Sequence, residues 1–238
     1  MTKKNQYSLV NTKTLINFKK KTITKFYCVN VKEFQNKKKL SEIKNEILKY
    51  YYLLKKARIS LPRIYKIYSD ELNIVCVMSY HGKNIFELGL DHKNFYDYLH
   101  KIENILKVLF SLKKKKDVML DPHIKNFVFD KNQKLYYVDL YQPLTKSYIK
   151  ERISKSKNIF KKMIVKKNFM YFQSKFLIEH FVADLIATNK FFKVYIFFLF
   201  TYLQSRGYYN KSFQYFKSIV YKIINVENKR KTNKIYLI

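Results

Sequence analysis

Asp121-Pro122-His123-Ile124-Lys125-Asn126-Phe127-Val128-Phe129, followed by Leu135-Tyr136-Tyr137-Val138-Asp139, is the stretch on which the fold turns. An Asp is followed five residues later by an Asn. Phe127 to Phe129 and Leu135 to Val138 read as strands, with Asp130-Lys131-Asn132-Gln133-Lys134 as a polar turn between them. Such a hairpin carries Asp139 back towards Asp121. One carboxylate can then orient and deprotonate a hydroxyl. The amide and the second carboxylate can hold magnesium ions that bridge nucleotide phosphates. Closeness is the requirement, because phosphoryl transfer depends mostly on positioning and charge neutralisation.

The spacing alone is weak. The chain has 8 Asp and 19 Asn, so about 0.6 such pairs arise by chance. Asp184 and Asn189 are a decoy with the same spacing, inside a run that reads as helix. Context separates the two pairs: Val118-Met119-Leu120 reads as a short strand before Asp121, and the hairpin follows Asn126. The plain alternative is an ordinary hairpin whose Asp and Asn residues cap turns.

The N-terminal part has its own pattern. Phe26 to Phe34 reads as a strand that carries Lys32. Leu40 to Leu54 reads as a helix with apolar residues at 43, 47, 50, 51 and 54 on one face and Ser41 as its cap. Leu61 to Tyr68 and Asn73 to Met78 read as two strands joined by Ser69-Asp70-Glu71, the second running into a hinge at Ser79 to Gly82. Phe95, Tyr98, Leu99, Ile102, Ile105, Leu106, Leu109 and Phe110 form the apolar stripe of a core helix.

In this order of elements the chain resembles the protein-kinase-like superfamily. More narrowly, it looks like the small bacterial lipopolysaccharide core heptose kinases. Asp121-Pro122-His123 with Asn126-Phe127, Val138-Asp139-Leu140 and the basic stretch at Lys150-Glu151-Arg152-Ile153 carry the likeness, which covers roughly residues 22 to 155. It implies an α+β, two-lobed fold. Residues 1–80 would form a small antiparallel N-lobe sheet with one helix, and residues 81–238 a reduced, mainly helical C-lobe with the catalytic loop. Asp121 and Asn126 would be catalytic, Asn126 and Asp139 would hold Mg²⁺, and Lys32, held by Glu46 or by Glu42 one turn earlier, would bind the phosphates of ATP. Met78 and Tyr80 would meet the nucleotide at the hinge. The implied activity is transfer of phosphate from ATP to a heptose hydroxyl at the cytoplasmic face of the membrane.

Three features depart from the pattern. The only glycines are at 82, 89 and 207, so a turn over the phosphates would have to come from Lys19-Lys20-Lys21 or nearby. Met119 stands where a His is usual, and Leu140-Tyr141 follows Asp139 in place of Phe-Gly. The first departure keeps open a non-catalytic basic pseudokinase; a protein kinase or kinase-like effector is the other alternative.

The formal net charge is +32, from 44 Lys and 5 Arg against 17 acids. A bias towards AT-rich codons would enrich Lys, Asn, Ile and Tyr but not deplete the acids, so the excess points to an anionic partner. The acceptor, a phosphorylated saccharide or lipopolysaccharide, comes first, peripheral association with an anionic membrane second. Nucleic acid is less favoured, because Lys lacks the bidentate base contacts of Arg. Cys28 and Cys76 read as buried small hydrophobes, and five His show no zinc spacing. The N-terminus lacks an apolar signal core. Val194 to Leu203 is the most hydrophobic run, too short to span a bilayer; it reads as a buried helix, with an interfacial helix as the alternative. Residues 141–168 are basic and polar, a mobile segment or part of an acceptor site.

Overall fold

β1 (Thr12–Asn17) and β2 (Thr22–Cys28) form an antiparallel hairpin whose tight turn places Lys21 at positive φ. The computed structural model describes residues 12–28, 40–70, 73–89, 92–113, 117–141, 143–155 and 177–232. β2 ends at Cys28, and Lys32 lies outside the described residues. α1 (Leu40–Lys56) follows, with Ile43, Ile47, Tyr50 and Leu54 buried at helical spacing. Glu42 in its first turn and Lys55 and Lys56 in its last complement the helix dipole. The helix begins at Leu40, so Ser41 sits within its first turn instead of capping it.

β3 (Ile64–Ser69) and β4 (Asn73–Ser79) complete a four-stranded antiparallel sheet of order β1-β2-β4-β3. Ile64 faces Met78 and Lys66 faces Val77, so Tyr65 is the extra residue of a bulge. The bulge turns Ile64 and Ile67, three positions apart, towards the core together. β2 pairs with β4 so that Ile23, Lys25 and Tyr27 stand opposite Met78, Cys76 and Ile74. That shared face is the inner one, and α1 packs against it.

After β4 the chain passes through Gly82 into β5 (Lys83–Asn84), which pairs with β6 (Phe127–Phe129). Gly82 has φ 119°, and a Cβ there would lie 2.2 Å from the Phe129 carbonyl oxygen. Only glycine fits this crossing. β6 pairs with β7 (Leu135–Tyr137), the hairpin expected from two apolar runs joined by the polar turn Asp130 to Lys134. α2 (Phe95–Lys113), α3 (Lys146–Lys155), α4 (Leu177–Thr188), α5 (Phe191–Val194), α6 (Ile196–Ser205) and α7 (Phe213–Thr232) make up the helical part. α4 is buried on nearly every side and packs on α7, so it is the central post of this half. A continuous core links sheet and helices. The architecture is thus α+β, with a small antiparallel sheet preceding a mainly helical part. Among the described residues no helix is long and apolar enough to cross a membrane.

Candidate active site

The loop from Asp121 to Asn126 ends in a 3-10 turn (Ile124–Asn126) and enters β6 directly. Asp121 is fixed on three sides. Its Oδ1 accepts from the His123 backbone N–H at 3.1 Å, its own N–H donates to the Tyr137 hydroxyl at 3.2 Å, and its carbonyl accepts from Asn126 Nδ2 at 3.5 Å. The Val138 N–H donates to the Asn126 carbonyl at 2.8 Å. That bond brings the end of the hairpin beside Asn126 and returns Asp139 to the loop. The short strand expected at Val118 is a single bridge to Thr145.

Lys25 completes the cluster. Its Nζ donates to the Val138 carbonyl at 2.6 Å, and its charge lies close enough to Asp139 for each to affect the other's ionisation. Burial lowers the Lys25 pKa, against the opposing pull of Asp139. Burial pushes the Asp139 carboxyl up from 3.8 to about 6; Lys25 draws it down, and the Asp121 charge raises it. Lys25 is not among the residues singled out in the sequence, where the expected phosphate lysine is Lys32, outside the described residues. Its signal was its position between Ile23 and Tyr27, a cation on an otherwise apolar strand face. Glu46 is half-buried on α1, and among the described residues no Lys or Arg forms an ion pair with it. Glu42 is exposed. What α1 sends to the site is Tyr50, whose hydroxyl donates to the Met119 carbonyl at 2.5 Å and lies within hydrogen-bond reach of Tyr137. Burial raises both tyrosines well above their ordinary range, so they stay neutral donors beneath the two carboxylates.

At the hinge, Met78 is fully buried opposite Ile23. The Tyr80 N–H donates to the Lys21 carbonyl at 2.9 Å. The Phe18 ring meets Tyr80 edge-on at 5.7 Å, and His81 stacks on Tyr136 at 3.8 Å. The Lys19-Lys20-Lys21 turn therefore sits at the hinge end of the sheet. The antiparallel register, with Thr22 opposite Ser79, dictates this.

Asp184, the decoy by sequence, touches the loop. From α4 its Oδ2 accepts from the Ile124 N–H at 2.9 Å, and its Oδ1 lies 3.0 Å from His123 Nε2. Asn189 has a separate task, accepting from the Phe191 N–H at 3.0 Å. Only the Asp of that pair reaches the site, because the pair lies at the end of a helix and not across a hairpin.

Among the described residues no three His, Cys, Asp or Glu side chains cluster as a metal site. Asn126 and Asp139 offer two oxygen donors, and Mg²⁺ commonly takes one or two protein oxygens plus substrate phosphates. The donor set fits, and the raised Asp139 pKa supports it: a buried carboxylate close to a second one is relieved by a divalent cation. A pH signature follows. As pH rises from about 4 to about 6, the unfolded chain releases this proton before the folded one does. Asp139 therefore lowers stability progressively across that window, and the full penalty stays constant above it. Asp139→Asn is expected to melt higher than the parent at pH 7 without nucleotide. The difference should vanish near pH 4, while the variant loses any gain from Mg²⁺ with ATP. Melting curves of both proteins across this range check it; a lower melting temperature for the variant at pH 7 contradicts it.

No family model matches the sequence, and no curated protein matches it. Among solved structures the chain is similar to a crystal structure of Rad53 1-466 in complex with AMP-PNP, with TM-score 0.37 and 13% identity. The match covers 57% of this chain and 36% of that one, so the chain spans about a third of that structure's length. A likeness this distant carries no weight for substrate or chemistry.

Proposed function

We propose that this chain is an ATP-dependent phosphotransferase acting on a hydroxyl, with a saccharide as acceptor and a lipopolysaccharide core heptose as the leading case. The convergence of Asp121, Asn126, Asp139 and Lys25 from a loop, a hairpin end and a strand carries this reading. Asp121 orients the acceptor hydroxyl and takes its proton. Lys25 replaces Lys32 as the phosphate cation. Asn126 and Asp139 are the oxygen ligands for Mg²⁺, which when bound neutralises the phosphate charge. The adenine lies against the hinge at Tyr80; Met78, expected there from the sequence, is wholly buried behind it in the core.

The acceptor side supports a compact substrate. Residues 140–145 alone separate Asp139 from α3. They are tied down: the Met119 N–H donates to the Leu144 carbonyl at 3.0 Å and the Lys146 N–H to the Asp117 carbonyl at 3.2 Å. Leu140, Tyr141, Pro143, Leu144 and Thr145 are buried. The described residues of this segment offer no exposed strand for an extended peptide, which weighs against a protein acceptor. Half-buried Lys125 and Lys146 and exposed Lys150 lie in the segments flanking the two aspartates and suit an anionic saccharide. The side chain of Arg152 lies outside the described residues, as do residues 156–176.

A thermal-shift titration tests the proposal. A ligand at 100 times its Kd stabilises by about 2.7 kcal/mol, which for a chain of this size is a rise of about 5–10 °C. ATP with Mg²⁺ is expected to produce such a rise. Lys25→Met should weaken apparent ATP affinity by about 10–100-fold, the worth of a charge-assisted hydrogen bond. The absence of any glycine before position 82 favours a second reading, the pseudokinase. No shift at millimolar ATP and Mg²⁺ would establish that one instead.

A further inference from the structure

The helix pair α5 and α6 divides its apolar residues between two surroundings. Ile196, Leu199, Phe200 and Leu203 are buried. Val194, Phe197 and Phe198 are 75%, 54% and 60% exposed, and Tyr96, from the start of α2, is 76% exposed. Three of these side chains are linked: the Phe197 and Phe198 rings lie 6.3 Å apart, and Tyr96 and Phe198 share the wall of a groove of about 420 Å³ with Phe95, Tyr195 and Tyr202. Phe197 also meets Phe213 of α7 edge-on at 5.1 Å, and Val194 stands one helical turn before them in sequence. Aromatic groups this exposed in a contiguous patch mark an interaction surface.

The surrounding charge identifies the partner. The 42 residues from Leu185 to Val226 contain no Asp or Glu, although average composition would put ~3 there. They contain Lys190, Lys193, Arg206, Lys211, Lys217 and Lys222. Lys190 and Lys193 are exposed on either side of the first turn of the patch, and Lys211 and Lys217 are exposed on the neighbouring α7 region. The one acid in the groove's vicinity that faces inward, Glu103, is paired with Lys107 at 3.1 Å and hydrogen-bonded by Tyr202. Asp97, beside Tyr96, is exposed.

We infer that this face docks the protein on an anionic lipid bilayer. Val194, Phe197, Phe198 and Tyr96 enter the head-group boundary, and the surrounding lysines meet the lipid phosphates. Rings with an apolar body belong at that depth, and lysine stems reach past apolar surface to place their charges in the polar layer. A nucleic acid would use the same cations, but it gives Val194 and the edge-packed Phe197 and Phe198 nothing apolar to enter. The surface stands apart from the phosphotransfer proposal: it survives if the chain binds no nucleotide.

A chain of charge +32 adheres to any anionic vesicle, so the informative measurement is insertion. The protein has no Trp, which makes Phe198→Trp in the full chain a single optical probe. With phosphatidylcholine–phosphatidylglycerol vesicles its emission is expected to shift blue and to be quenched by lipids brominated on the acyl chain. Tyr52→Trp, exposed on α1, should be unaffected. Val194→Ser with Phe197→Ser leaves net charge unchanged and should reduce vesicle partitioning at least ~10-fold at about 0.5 M salt, where screening has shortened charge attraction. Binding without quenching of the Phe198→Trp probe overturns the proposal in favour of diffuse charge attraction. So does equal partitioning of the double variant. A lipid-independent dimer that the same double variant dissociates overturns it in favour of self-association.

Discussion

Asp121→Asn is expected to leave a folded, nucleotide-binding protein whose turnover falls by about 10²–10⁴, the usual worth of a positioned general base. The fold should survive because the substitution keeps the local bond that matters. Asn Oδ1 can accept from the His123 N–H as Asp121 Oδ1 does, and the contacts to Tyr137 and Asn126 use backbone atoms. What disappears is the ability to hold the acceptor's proton. Removing a negative charge next to Asp139 should also ease ionisation of that carboxyl, so Mg²⁺-dependent ATP binding should hold or tighten slightly. The measurements are phosphate transfer to a heptose-containing core saccharide, phosphate release from ATP alone, and ATP affinity by thermal shift. Near-parental turnover in the variant would remove Asp121 from the catalytic role.

Asp184→Ala is the second large effect, and it acts through position. The substitution removes two acceptors from under the loop and strands the N–H of Ile124, whose side chain is wholly buried. An unsatisfied buried donor costs about 1–3 kcal/mol, a fall of about 2–12 °C in melting temperature for a chain of this size. A loop displaced by about an ångström can lose about 10²-fold in turnover. Asp184→Asn keeps an acceptor for the Ile124 N–H and should recover most of the stability and rate. ATP affinity should stay near parental in both variants, because Lys25 and the hinge are untouched. A loss of rate in Asp184→Asn as deep as in Asp121→Asn, with stability intact, would mean that Asp184 takes part in the chemistry.

The hairpin after Asn126, α1 and α2 were legible because their information is local. Short apolar runs at Phe127 to Phe129 and Leu135 to Tyr137 on either side of a polar turn mark a hairpin, and Ile43, Ile47, Tyr50 and Leu54 mark a helical period. The pair of aspartates was legible for the same reason: a hairpin returns its far end whatever surrounds it. The charge excess, too, is a property of composition.

Which lysine faces Asp139 is a different kind of question. Lys25, between Ile23 and Tyr27, and Lys32, between Asn30 and Phe34, are both lysines beside apolar residues, and that local difference does not say which one meets Asp139. Pairing does, by setting Lys25 opposite Cys76 on the face that turns towards Val138, 113 residues along the chain. The same holds for Asp184, whose helical neighbours explain its burial but not its bond to Ile124, and for the basic turn at Lys19 to Lys21, sent to the hinge by the register of β2 on β4. α6 is the fourth case. Its sequence is apolar nearly all round, yet only one side meets the core, because α7 covers Phe200, touches Phe197 only edge-on through Phe213 and leaves Phe198 in the open. Period and composition are written in neighbouring residues; partner, register and the side left bare are settled only when distant segments compete for the same surface.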